Sequence, residues 1–243
     1  MVTTRRRLKK RWLWLLAPLL LAAGFLLYVS IYYHADETAR AALESDGAVT
    51  VSRTDYGWRF DGPAEEDALI FYPGAKVEEI AYAPLLHRIA AEGMDVCLVE
   101  MPFRLAVLAP NRADRVMETE EYANWYIGGH SLGGAVAANY ASDHGEKLRG
   151  LVLLASYATH PLDPGLQVML VVGSEDGVVN RAKLEAGMQY LPADAVFYTI
   201  PGGNHAQFGS YGPQRGDGEA RISPEEQWAE TAAVLARLPD RAA

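Results

Sequence analysis

From Ala68 onward, short unbroken apolar runs alternate with stretches of helical spacing. ALIFYPG (68–74), DVCLVEMP (95–102), NWYIGGHS (124–131), LRGLVLLAS (148–156), LQVMLVVGS (166–174) and AVFYTIPGG (195–203) read as strands. They show no apolar-polar alternation, so each must be covered on both faces, as in a parallel sheet flanked by helices. Residues 77–92, 103–117, 132–142 and a segment near 180–190 carry helical spacing. A further helix over 224–237 opens with Ser223-Pro224-Glu225-Glu226, a capping box with proline at the first helical position. Residues 50–60 predict a hairpin around Asp55-Tyr56-Gly57. The pattern predicts one α/β domain over residues 48–240, built on a mostly parallel central sheet.

The N-terminal end breaks this pattern. Trp12–Tyr33 holds 22 residues without a charge. As a helix it would extend about 33 Å, enough for a hydrocarbon core of about 30 Å. Trp12, Trp14, Tyr28, Tyr32 and Tyr33 stand at its two ends, where interfacial aromatics belong. Residues 1–11 carry six Lys and Arg residues, an excess that predicts a cytoplasmic tail and an extracytoplasmic domain. The expectation is therefore a single-pass anchor at 12–33 in the lipid bilayer, then a linker over 34–47. A cleaved signal peptide is the rival, with Ala39-Arg40-Ala41 as its cleavage site, but the apolar run exceeds the usual stretch of about 7–15 residues.

Charge narrows the function classes. The whole chain carries −9 and its first eleven residues +6, leaving −15 on the rest. A body of that charge repels a phosphate backbone, which argues against nucleic acid as a partner. Cys97 is the single cysteine, so no internal disulfide can form, and it reads as a small buried hydrophobe. No metal-ligating cluster or cofactor fingerprint is visible.

In a parallel sheet, chemistry gathers at the carboxyl ends of the strands. There Gly129-His130-Ser131-Leu132-Gly133 gives G-x-S-x-G between a strand and a helix, the setting of a nucleophile elbow. A serine hydroxyl needs a base, and the base needs an orienting acid. The next strand ends offer Asp176 in VVGSEDGVV, with Glu175 as alternative acid, and His205 in IPGGNHAQFG. The predicted catalytic set is thus Ser131, Asp176 and His205. The oxyanion donors are expected to be the backbone N–H of Leu132 and, from FYPGAKVEE, that of Ala75, with Lys76 as second choice. The other histidines (His34, His87, His130, His144, His160) read as packing or solvated residues, with His160 placed nearest the site. Only Tyr157–Leu166 separates two strands where a lid could be inserted, too little for a cap domain; Tyr157 and His160 would line the rim, and the glycine-rich segment Ala206–Gly218 is the one piece that could fold over the site.

Taken together, YPGAKVE, GGHSLGGAVAANYA, GSEDGVV and GGNHAQFGSYGPQRGDG, in this order, resemble the α/β-hydrolase superfamily, and within it the small dienelactone-hydrolase-like group known as α/β-hydrolase fold family 5. The resemblance spans residues 66–238 and implies hydrolysis of an ester or related acyl bond of a small molecule. Dienelactone hydrolases proper use a cysteine where this chain has Ser131, which leaves lactone specificity open. The expectation is a membrane-anchored serine carboxylesterase without cofactor. Its rivals are an acyltransferase on the same triad and a non-catalytic hydrolase-like module.

Overall fold

Successive side chains on a strand point to opposite faces, so an apolar run without alternation needs cover on both. The sheet provides it in the computed structural model, which describes residues 5–63 and 66–238, with side chains from residue 16. The chain contains β1 (Thr50–Arg53), β2 (Gly57–Asp61), β3 (Asp67–Tyr72), β4 (Asp95–Val99), β5 (Asn124–His130), β6 (Gly150–Leu154), β7 (Gln167–Gly173) and β8 (Val196–Ile200). They form one sheet in the order β1-β2-β4-β3-β5-β6-β7-β8. The β1–β2 and β2–β4 pairs are antiparallel, and every pairing from β4 through β8 is parallel.

Alternate residues of the central strands enter two separate cores. Leu69, Phe71, Val96, Leu98, Val152 and Leu154 pack on one face with Leu85, Leu86 and Ile89 of α3 (Ala83–Ala91) and Trp228 and Leu235 of α7 (Pro224–Leu235). Ile70, Tyr72, Val99, Ile127, Leu151 and Leu153 pack on the other with α4 (Arg112–Met117), α5 (Leu132–Asp143) and Leu184 of α6 (Arg181–Gly187). The capping box at Ser223 forms as the sequence predicts, Ser223 Oγ accepting from the Glu226 N–H and Glu226 accepting from the Ser223 N–H.

Two expectations are corrected. Residues 103–117 are not one helix; two 3₁₀ turns (Pro102–Arg104, Ala106–Leu108) precede the short α4. Pro110 disfavours helical backbone at Ala109, which sits at φ −148°, and Phe103 and Arg104 take positive φ. Strand β8 is not fully buried: it lies at the sheet edge, with Phe197 42% exposed. The stretch 34–47, read as a linker that could hold a helical turn, does hold one but also packs on the domain. It carries the one-turn helix α2 (Glu37–Ala41), capped by Asp36, and Ala39 is fully buried in the first core. Tyr33 pairs with Val77, its N–H reaching the Lys76 carbonyl at 2.7 Å, and both Asp36 carboxylate oxygens accept from the Ser210 hydroxyl.

The described residues fall into two compact units that divide between Tyr32 and Tyr33. The first holds helix α1 (Arg5–Ser30), which covers most of the expected anchor and contains Pro18. The side chains of 12–15 and the basic tail lie outside the described side chains, and among the described residues no helix is long and apolar enough to cross a membrane.

Candidate active site

The glycines around Ser131 are explained by crowding. A Cβ at Gly129 would collide with the Tyr72 carbonyl oxygen, and one at Gly133 with the carbonyls of Tyr72 and Pro73. This close passage lets β5 turn straight into α5. Ser131 occupies the turn at φ 53°, ψ −123°, an unfavourable conformation for a residue with a side chain, with a cost of about 1–3 kcal/mol. Three bonds hold it there: its N–H donates to the Leu154 carbonyl at 2.9 Å, and its carbonyl accepts from the Ser156 hydroxyl at 2.8 Å and from the Ala135 N–H at 3.1 Å. Ser156 ends the apolar run LVLLAS; nothing in the sequence marks its hydroxyl as a brace for the turn.

Asp176 follows β7 and His205 follows β8, and the two side chains meet in the interior. His205 Nδ1 lies 2.9 Å from Asp176 Oδ2. The other carboxylate oxygen, Oδ1, accepts from the N–H groups of Val178 and Val179, each at 2.8 Å. Burial pushes the Asp176 pKa up, but the hydrogen bond and charge of His205 and the two N–H donors outweigh it, so the net shift is downward. An ionised Asp176 keeps the proton on Nδ1 and the lone pair on Nε2. His205 Nε2 is buried and has no hydrogen-bond partner among the described residues. Glu175 instead takes the Ser174 hydroxyl and the Arg221 guanidinium and does not meet His205.

Ser131 and His205 line one cavity of about 200 Å³ with Leu132, Ala135, Ala155, Tyr157, Val178, Val179 and Asn180. Leu132 stands at the first position of α5, where its N–H has no carbonyl within the helix. In the loop after β3, the Lys76 N–H is taken by the Arg104 carbonyl at 2.9 Å and the Gly74 N–H by the Tyr82 hydroxyl at 3.0 Å. Ala75 N–H has no partner among the described residues. Among the described residues, no group of three or more His, Cys, Asp or Glu side chains is placed to hold a metal ion.

One rim expectation changes. His160 is exposed, bonded to Thr159 and Asn139, and does not line the cavity; Tyr157 does. The segment 206–218 contributes nothing to the cavity lining. The histidine beside the site is His130, fully buried, with its ring centroid 4.4 Å from that of His205 and its Nδ1 2.8 Å from the Tyr82 hydroxyl. Because Tyr82 Oη accepts from Gly74, its own proton is available for His130 Nδ1, and a polar chain joins the loop after β3 to the histidine under the base. The G-x-S-x-G pattern leaves that position free, so sequence reasoning had no handle on it.

Burial, and after it the nearness of His205, hold the His130 pKa well below its ordinary value, so the ring is neutral in the folded protein. The unfolded chain binds a proton there below about pH 6.5 while the folded chain does not. Stability is therefore lost as pH falls below about 6.5, by up to about 1.4 kcal/mol per pH unit from this residue. Urea unfolding of His130→Gln between pH 5 and 7 is expected to show a shallower loss than the parent; equal slopes would contradict a neutral buried imidazole.

The model of an alpha/beta hydrolase family matches residues 68–229, and the chain belongs to that family, family 5 of the alpha/beta hydrolases. No functionally curated protein matches it in sequence. Among solved structures, a membrane phospholipase A described as a bacterial virulence factor is similar at TM-score 0.61 and 14% identity, over 96% of this chain and 100% of that one. A CIB-like hydrolase of Thermoplasma acidophilum is similar at TM-score 0.55 and 15% identity, over 79% and 99%. A pyrethroid hydrolase of Sphingobium faniae is similar at TM-score 0.53 and 15% identity, over 73% and 100%. At such identities the likeness is one of fold.

Proposed function

We propose that the protein is a serine hydrolase that cleaves carboxylic ester bonds through an acyl-enzyme on Ser131. The observation that carries the reading is the buried His205–Asp176 pair, which leaves Nε2 without a protein partner at a cavity that Ser131 shares. His205 takes the Ser131 proton as the hydroxyl oxygen attacks the ester carbonyl, then gives it to the leaving alcohol. The N–H groups of Leu132 and Ala75 receive the developing oxyanion. A water deprotonated by the same imidazole then releases the acid.

The substrate is a compact ester. At about 200 Å³ the cavity lies below the range of about 300–1,000 Å³ of sites for drug-sized ligands. The connection from β6 to β7, residues 155–166, forms no helix or strand, so no cap domain walls a longer chain there. Rates on acetyl, butyryl, octanoyl and palmitoyl esters are expected to peak at the short end, with no jump when the substrate aggregates. A preference for palmitoyl, or a steep rise on aggregates, would overturn this. Added alcohols separate hydrolysis from acyl transfer: dominant ester product would favour the transferase.

The same proposal places the enzyme at the cell membrane, single-pass, its catalytic domain outside the cytoplasm. Support comes from the uncharged stretch 12–33, its basic flank, and the exposed apolar side chains of α1, among them Leu16, Leu19, Leu20, Leu21, Leu26 and Leu27. The protein is expected to stay with membranes through a carbonate wash and to be digested by protease added to intact cells. A soluble form starting near Ala42 would show a cleaved signal instead.

A further inference from the structure

Asp176 and His205 are carried on two different loops, 174–180 after β7 and 201–209 after β8, and of the two side chains His205 lines the cavity. Close to the strands the loops are joined by Glu175 N–H to the Gly203 carbonyl at 2.9 Å and Gly202 N–H to Ser174 Oγ at 2.8 Å. Farther out, a third segment lies against both. A Cβ at Gly177 would sit 2.7 Å from the Gly216 carbonyl oxygen and 3.0 Å from the Gly218 nitrogen, so acid loop and segment touch where no side chain fits. Within that contact lies Asp217. Its Oδ1 accepts from the N–H of Gly177 at 3.1 Å, of His205 at 3.2 Å and of Gly218 at 2.9 Å; its Oδ2 accepts from the N–H of Ala206 at 2.8 Å. One carboxylate thus serves the neighbour of the acid, the base itself and the neighbour of the base.

We propose that Asp217 is a positioning residue for catalysis, fastening the Asp176 loop to the His205 loop so that the two side chains keep the geometry the reaction needs. The proposal rests on the reading of Ser131, Asp176 and His205 as the catalytic set. A carboxylate suits the task because each of its oxygens accepts several charge-assisted bonds. Backbone N–H groups inside protein require acceptors, and without Asp217 those of His205 and Ala206 would have to find others by moving. An asparagine supplies a single acceptor oxygen and turns an NH₂ toward N–H donors. A misplacement of about 1 Å at a catalytic group costs about 100-fold in rate. Neither oxygen of Asp217 takes a bond from a side chain among the described residues, and the residue is absent from the cavity lining, so its effect has to pass through the two loops.

The test is a double-mutant cycle on the full-length protein with a short-chain ester. Asp217→Asn is expected to lower kcat by about 10–100-fold with KM little changed. On a His205→Ala background the same substitution is expected to cost less than about twofold more, because the pair it aligns is already gone. Equal losses in both backgrounds would mean a general structural role and overturn the proposal, as would full activity of Asp217→Asn. If His205→Ala alone keeps its activity, the catalytic reading falls instead, and the two failures are told apart. Should Asp217→Asn melt below the assay temperature, Gly177→Ala takes its place in the cycle. Its Cβ pries apart the same contact, and the same pattern of losses decides.

Discussion

Ser131→Ala is expected to lower kcat for a short-chain ester by about 10⁵–10⁶-fold, because losing the nucleophile removes the covalent route and leaves only binding and the oxyanion donors. The loss should come without unfolding. The strained turn at φ 53° is held by the Ser131 N–H and carbonyl, through Leu154, Ser156 and Ala135, and alanine keeps both groups. The variant should therefore melt with the parent and fail to take up a fluorophosphonate label. Substantial remaining activity would end the acyl-enzyme reading, and a shared melting temperature would show that the fold was not the cause.

Asp176→Asn follows, with a loss in kcat of about 10⁴-fold. The reason lies in the other oxygen. The N–H groups of Val178 and Val179 both donate to Oδ1, so the asparagine amide must place its oxygen there. Its NH₂ then faces His205 Nδ1, which has to present its lone pair, and the ring proton moves to Nε2. The base is left in the wrong tautomer with its position unchanged. Glu175→Gln should stay within about twofold of the parent, since Glu175 engages Ser174 and Arg221 at the surface. A larger loss from Glu175→Gln than from Asp176→Asn would reverse the assignment. Loss of the negative charge should also remove a contribution to acid stability. The Asp176 pKa is depressed in the folded protein, so its stabilisation is complete above about pH 3.9 and lost as pH falls through the lower folded value.

The site was legible where the local pattern and the chemistry coincide. The strand before Ser131, the glycines around it, and an acid and a histidine at the ends of the next strands all lie within stretches of nine or ten residues, and the structure brings Asp176 and His205 within 2.9 Å. The sequence put Asp176 ahead of Glu175, and the structure sets Asp176 against His205, because neighbours on one loop differ in the direction their side chains leave the backbone. The sequence likewise named Ala75 ahead of Lys76 as a donor; the Lys76 N–H is taken by the carbonyl of Arg104, from a loop that the helical spacing of 103–117 did not foretell. His130 and Asp217 escaped notice for a related reason. Each contacts His205, which lies 75 and 12 residues away along the chain.

By itself the sequence determined the class of the fold, since unbroken apolar strands alternating with helices can be buried only as a covered parallel sheet. It also determined the elbow at Ser131, because only a chain without side chains at 129 and 133 can pass the Tyr72 and Pro73 carbonyls. The tertiary structure alone decided that residues 34–47 are bound to the domain, that β8 is an edge, and which polar groups meet around His205. Apolar periodicity is a local signal, set by which face of an element is buried. Hydrogen-bond partners are drawn from anywhere in the chain that the packed core brings within about 3 Å, and no pattern along the sequence records that proximity.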